Sequence, residues 1–411
     1  MIRQTQEKEE TTTMATEDPK NRRMHSISTG ELERRWKAVR EMMKADRIDY
    51  LIIRNDESFL GGPVKWFTDL PAFSNYPFTV IFPAGEEMTL ISHGAPAPAD
   101  PGPPPWAVHG VKRRLGSNYM PSAHYTNSYD AELAVGVLKE KKGAVIGLVG
   151  KAFIPLSFYE YLTKHLEGAK FVDATDQIDQ LMVIKSPEEI EQIKSVAALQ
   201  DAAMEHARKS IRPGMRDFEV GAEVRYSCSL QGSYRYVILI GSGRPGTPVP
   251  FLPPHLQNRT IQEGDQVSVL IEVNGPSGLW TELGRVISMG KPSQELQDAF
   301  GIAVEAQNVS LNLLKPGANS KDVWDANNEF LVKKGFFPEV RLYAHGQGYH
   351  FVERPLIRND EPMKIRPRMN LTVHPSAANK TVWAGVTDNY MITETGPGPC
   401  LHKTRKEIIV I

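Results

Sequence analysis

The second half of this chain repeats itself, and that repeat limits the folds open to it. Ile211-Arg212-Pro213-Gly214-Met215, followed by Asp217 and a helical pattern, is echoed by Leu314-Lys315-Pro316-Gly317-Ala318, followed by Asp322 and a second helical pattern. Each Pro-Gly turn follows one amphipathic helix and precedes another. Strand-like runs come next in both copies: 236–240 with 267–273, and 345–351 with 371–374. Two copies of a helix-helix-strands unit imply a pseudo-twofold domain with its sheet inside and its helices outside. A sheet built this way has a central cleft to which both halves contribute side chains.

The first half reads differently. Ser28-Thr29-Gly30-Glu31 opens a helix in capping-box fashion, with Leu32, Trp36, Val39, Met42 and Met43 at helical spacing. Buried strands are expected at 50–53, 78–82, 88–91 and 144–149, with helices between them, and 96–105 reads as a Pro-rich surface loop. This gives an α/β N-terminal domain over 28–180 and an α+β domain over 181–411. Residues 1–27 read as a polar disordered tail without an apolar signal core. The 48 basic and 49 acidic side chains nearly cancel and no basic stretch stands out, so neither nucleic acid nor an anionic membrane is expected as a partner. No apolar run is long enough for a spanning helix. Two distant cysteines, Cys228 and Cys400, suggest a reducing compartment, and a cytoplasmic enzyme is expected.

Four residues in the second half carry metal-ligand chemistry. Glu282 stands in Thr281-Glu282-Leu283-Gly284-Arg285 and His345 in Ala344-His345-Gly346-Gln347-Gly348. His374 ends Asn370-Leu371-Thr372-Val373-His374, and Asp388 lies in Gly385-Val386-Thr387-Asp388-Asn389-Tyr390. Carboxylates and imidazoles are ligands for a divalent ion. With Ile184-Lys185-Ser186-Pro187-Glu188-Glu189-Ile190, Glu263-Gly264-Asp265 and the Glu353-x-Pro355 pair, this order of strings resembles the creatinase/methionine aminopeptidase/prolidase family over residues 24–411. The resemblance implies a pita-bread C-terminal domain, a homodimer and an enzyme acting on a small molecule.

That family binds two metals through Asp, Asp, His, Glu and Glu. Carried over position by position, the second Asp falls on Glu282, the His on His345, the first Glu on His374 and the last Glu on Asp388. The first Asp falls on Leu270, which binds no metal. Glu272, two residues on, projects to the same face of a strand and is a substitute ligand. The resemblance thus implies one retained ion, of the class Zn, Fe, Mn or Co, on Glu282, His345, His374 and Asp388.

Comparison with creatinase puts its acid/base His on Pro253, with His255 two residues later as the candidate. The second peptidase His falls on Val352, with His350 nearby as a base or substrate contact. Glu353 joins these as the family's Glu-x-Pro acid. Arg285, Arg354 and Arg244 are candidates for a substrate carboxylate, and Trp280, Tyr349, Tyr390 and Trp383 for a pocket wall. The function implied is metal-dependent hydrolysis of a C–N bond in a small polar substrate. Alternatives are a metal-dependent lyase of the dimethylsulfoniopropionate type, a metal-free creatinase-like amidinohydrolase, an Xaa-Pro peptidase and an inactive binding protein.

Overall fold

The computed structural model describes residues 22–55, 57, 59–71, 76–95 and 103–411. Most of the expected tail and of the Pro-rich loop therefore lies outside the described residues. The first unit runs α1 (Thr29–Asp46), β1 (Tyr50–Asn55), α2 (Gly62–Thr68), β2 (Phe78–Pro83), β3 (Met88–His93), β4 (Val111–Ser117), α3 (Tyr129–Leu138), β5 (Val145–Val149), α4 (Leu156–His165), β6 (Lys170–Asp173) and α5 (Thr175–Met182). Ser28 caps α1 by accepting the Glu31 amide at 3.2 Å, and Leu32, Trp36, Val39 and Met43 form the buried stripe of that helix. The strands form one mixed sheet in the order β4-β3-β2-β1-β5-β6. Apolar side chains on both faces of the sheet separate its two layers of helices.

The second unit runs α6 (Pro187–Ser210), α7 (Asp217–Leu230), β7 (Tyr236–Gly243), β8 (Gln266–Asn274), β9 (Trp280–Ser288), α8 (Gln294–Leu313), α9 (Ser320–Lys333), β10 (Ala344–Gly346), β11 (Glu353–Leu356), β12 (Asn370–Val373), β13 (Ser376–Ala378), β14 (Trp383–Gly385), β15 (Asp388–Ile392), β16 (Pro397–Cys400) and β17 (Ile409–Val410). Two half-sheets, β17-β9-β8-β7 and β11-β10-β12-β15-β16, meet through a bridge between Gly284 and Thr387.

The sequence repeat reappears as repeated bonding. The Gly214 amide donates to Ile261 O at 2.9 Å, and the Gly317 amide donates to Ile365 O at 2.8 Å. Both glycines adopt positive φ, 93° and 87°, which a side chain disfavours. Antiparallel bridges follow each turn, Arg216 with Thr260 and Asn319 with Lys364. A buried glutamine from the first helix of each copy reaches the sheet. Gln200 donates to Ile271 O at 2.8 Å, and Gln307 donates to Val373 O at 2.9 Å.

One buried ionic cluster fastens the units together, and a second lies beside the linker between them. The Arg35 guanidinium, fully buried, meets Glu31 at 2.8 Å, Glu189 at 3.0 Å and the Tyr349 hydroxyl at 3.1 Å, and donates to Trp66 O at 2.9 Å. Lys185 meets Glu353 at 2.6 Å beneath the loop that follows His345. Buried charges persist where they are paired in this way.

Candidate metal centre

The β8–β9 register sets Glu272 opposite Glu282 and Leu270 opposite Gly284, so two carboxylates share one face of the half-sheet. From the other half-sheet β10 and β12 pair His345 with Thr372, and the Thr372 hydroxyl donates to Glu282 Oε2 at 3.2 Å. The face of Glu282 is therefore also the face of His345. The His345 Nδ1 lies 2.9 Å from Gly346 O, which leaves Nε2 aimed at Glu282 Oε2, 3.8 Å away. His374 follows β12 with its ring 5.3 Å from that of His345. Its Nε2 is buried without a hydrogen-bond partner among the described residues. One ligand atom from each of Glu282, His345 and His374 lies within 4.8 Å of the other two.

The electrostatics of this cluster suit a cation. Burial pushes the Glu282 carboxyl up to about 7. Glu272 is raised well above the usual carboxylate range by burial and then by the Glu282 charge. Burial lowers His345 to about 4, and burial together with the His345 charge lowers His374 well below the usual imidazole range. The imidazoles are thus neutral and able to donate lone pairs, while neither carboxyl makes a direct ion pair with a Lys or Arg among the described residues. Arg341, exposed on the approach to β10, exerts its charge on all four groups. Its guanidinium has no side-chain partner among the described residues. An orphaned buried imidazole nitrogen facing a carboxylate is the donor arrangement a divalent ion requires, so these residues fit one.

Asp388 does not join them, which corrects the four-ligand expectation. The bridge to Gly284 is made by Thr387, and side chains alternate along a strand, so the next residue points to the opposite face. There Asp388 pairs with Arg285 at 2.7 Å, both fully buried, and accepts from Gln307 at 3.2 Å. His402 lies 3.7 Å away, and with half-buried Cys400 these residues form a second polar cluster. Arg285 is consumed by the same pair and by the carbonyls of Gly284, Thr387, Thr404 and Arg405, so it is not presented to a substrate. On the cleft face stands Thr387, whose hydroxyl would lie 2.6 Å from a Cβ added to Gly284 and is itself unpartnered among the described residues.

The remaining expected residues lie elsewhere. His350 packs at the junction of the two units, its ring 6.3 Å from that of Phe153 and its Nδ1 accepting the Gly62 amide at 3.4 Å. Glu353 is held by Lys185, Tyr349 by Arg35, and Arg354 by Glu361 and Asp176. His255 is exposed on the turn Pro254–Leu256, and Arg244 is exposed. Tyr390 belongs to the Asp388 cluster through Gln307 at 3.1 Å. Trp280 does share the Glu282 face of β9, packed between Phe59 and Phe351 with ring separations of 5.6 and 5.9 Å. Trp383 stacks edge-on to Phe251 at 4.7 Å, and Phe251 reaches over Gly284. Half-buried Val237 and Leu239, opposite Glu272 and Leu270, extend this apolar wall.

Sequence reasoning missed Thr387, Arg341 and an amide network around Glu272. The Gln347 amide donates to Glu272 Oε1 at 2.8 Å, Asn389 donates to Gln347 Oε1 at 2.8 Å, and Asn389 Oδ1 accepts the Glu282 amide at 2.7 Å. The polar residue inside His345-Gly346-Gln347-Gly348 was its visible signal.

Residues 191–394 match metallopeptidase family M24, and residues 35–184 match the creatinase/prolidase N-terminal domain. An uncharacterised hydrolase/peptidase of Sinorhizobium fredii is 27% identical over 387 residues, 89% of this chain and 91% of that protein. An Xaa-Pro dipeptidase of Pyrococcus furiosus is 26% identical over 276 residues, 66% of this chain and 76% of that protein. Among solved structures, the dipeptidase PepE of Mycobacterium ulcerans superposes with a TM-score of 0.76 at 19% identity, over 94% of this chain and 99% of that one. The prolidase of Pyrococcus horikoshii gives 0.71 at 21% identity, over 92% of this chain and 100% of that one. These likenesses carry the fold, a creatinase-type domain ahead of a pita-bread domain. Enzymes of the family use divalent metals, in keeping with the ligand cluster on the cleft face. The chain belongs to the creatinase/prolidase branch of the M24 metallopeptidase family and is an enzyme of the hydrolase type.

Proposed function

We propose that the chain holds one divalent ion on Glu282, His345 and His374 and hydrolyses a C–N bond in a small polar substrate carrying its own carboxylate. The observation that carries this is the unpartnered, buried Nε2 of His374, set with His345 and Glu282 so that three ligand atoms lie within 4.8 Å. Two imidazoles and one carboxylate suit Zn, Fe(II), Mn or Co and leave positions open. A divalent ion there supplies Lewis-acid chemistry, polarising an acyl oxygen and making water nucleophilic near neutrality.

The remaining work falls to the chain. Thr372 orients Glu282 through its hydroxyl. Glu272, with Oε1 fixed by Gln347, offers Oε2 to take a proton from water and return it to the leaving nitrogen. Arg341 is the cation placed to meet a substrate carboxylate. Val237, Leu239 and Phe251 exclude water from the apolar side of the cleft.

The names of the relatives, Xaa-Pro dipeptidases among them, support a peptide-like C–N bond. Leu270, His374 and Val352 depart from that peptidase pattern, and an N-acyl amino acid or dipeptide that completes the ion's shell with its own oxygen suits the reduced site. The test is a panel of N-acyl amino acids and dipeptides, assayed for released amine. Cleavage should vanish on chelation, return with one of Zn, Mn, Fe or Co, and be absent in a folded His345→Ala variant. Full turnover by thoroughly chelated enzyme would overturn the proposal. We also propose a homodimer, which light scattering checks; a strict monomer would refute it.

A further inference from the structure

Resting on the one-ion reading above, we infer that Gln347 is a positioning residue: it holds the Glu272 carboxylate outside the metal shell and thereby limits the site to a single ion. Glu272 and Glu282 are direct cross-strand partners, and two carboxylates so placed normally bridge or flank a pair of cations. Yet only Glu282 lies in the three-ligand cluster with His345 and His374. The Glu272 carboxylate is turned toward Gln347 Nε2, 2.8 Å away.

Gln347 is itself immobilised. It is fully buried, and its Nε2 also donates to Phe351 O at 3.1 Å, while its Oε1 accepts from Asn389 at 2.8 Å. Asn389 donates in addition to Asn370 Oδ1 at 3.2 Å, and Asn370 donates to Gln347 O at 3.2 Å. Every amide in this ring has a partner, so rotating Glu272 into a metal shell would leave the buried Gln347 nitrogen with only the Phe351 carbonyl. Gln347 lies two residues from His345 on the same strand-and-loop, so the segment that supplies a ligand also withholds one. The opposite wall offers a second ion nothing in exchange, because Leu270 is apolar, Thr387 is a hydroxyl and Asp388 faces Arg285.

The experiment is Co(II) titration of the metal-free full-length protein by calorimetry, with the visible Co(II) spectrum read in parallel. Wild type should take one equivalent. Glu272→Gln, which preserves shape and accepts the same hydrogen bond, should still take one equivalent with affinity within about threefold and an unchanged spectrum. Gln347→Met should bind a second equivalent, or bind the first about tenfold more tightly with an altered spectrum, as Glu272 becomes free to coordinate. Two equivalents in wild type, or a loss of about tenfold or more in Glu272→Gln, would overturn the inference while leaving a metal-dependent hydrolase standing. No Co(II) bound by wild type would overturn the one-ion reading and this inference together. A folded Gln347→Met that binds Co(II) as wild type does would overturn the inference, and should that variant fail to fold, Gln347→Leu is read in its place.

Discussion

Replacing Asp388 with Asn separates a ligand from a structural counter-ion. Asp388 and Arg285 are both fully buried and 2.7 Å apart. Removing one partner of a buried pair costs about 3–5 kcal/mol, mostly because the survivor stays charged in a dry environment. Arg285 keeps the carbonyls of Gly284, Thr387, Thr404 and Arg405, and Asn retains one oxygen acceptor, so the low end, about 3 kcal/mol, applies. For a unit the size of residues 181–411 this lowers Tm by roughly 6–12 °C. Calorimetry gives that number, and metal analysis of the same sample gives the other half of the test. A large fall in Tm is expected, with metal content unchanged at a temperature where the variant is folded. A Tm within about 1 °C of wild type together with lost metal would refute the reasoning and restore Asp388 to the ligand set.

Four further outcomes follow from particular residues. Metal affinity should fall by about tenfold per pH unit below about 7 and be flat above it, because Glu282 must release a proton whose folded-state value is about 7, whereas His345, at about 4, is already neutral; Mn(II) titrations across pH check this. In metal-free protein the sign for Glu282 is the reverse of an ordinary carboxylate, since a raised folded value gives stability that is present below 4.5 and lost as pH rises through about 7, visible as a Tm gain from added metal that grows with pH. Gly348→Ala should destabilise by about 3 kcal/mol in denaturant unfolding, since its Cβ would collide with both members of the buried Lys185–Glu353 pair. Arg341→Gln should raise KM for a carboxylate-bearing substrate about tenfold or more with a much smaller change in kcat, measured on whichever compound the amine-release panel identifies.

The parts of the fold that were legible are those written in local pattern. The two Pro-Gly turns, the strand runs and the His345 loop each announce themselves within a few residues, and the structure reproduces the repeat down to paired backbone bonds. Glu282, His345 and His374 were legible because their strings match a family in order. Asp388 misled because one residue of strand phase decides which face a side chain takes, and that phase is set by a bridge to Gly284, over a hundred residues earlier. Tyr349, Arg285, Arg354 and Glu353 sit near ligands in sequence but are claimed by partners far along the chain, Arg35, Asp388, Asp176 and Lys185. Such pairings leave no local trace. Glu272 was half-legible: alternation put it on the right face, but only the Gln347 bond shows which way its carboxylate turns.

The central claim is that Glu282, His345 and His374 together hold one ion, and X-ray absorption at the metal edge tests it most directly. Protein reconstituted with Zn or Co should show two imidazole nitrogens at about 2.0–2.1 Å with the remaining shell made of oxygen, at one ion per chain. The imidazole signature should fall to a single ring in His374→Ala. A shell of oxygens alone, or no stoichiometric ion in protein that turns over substrate, would contradict the account.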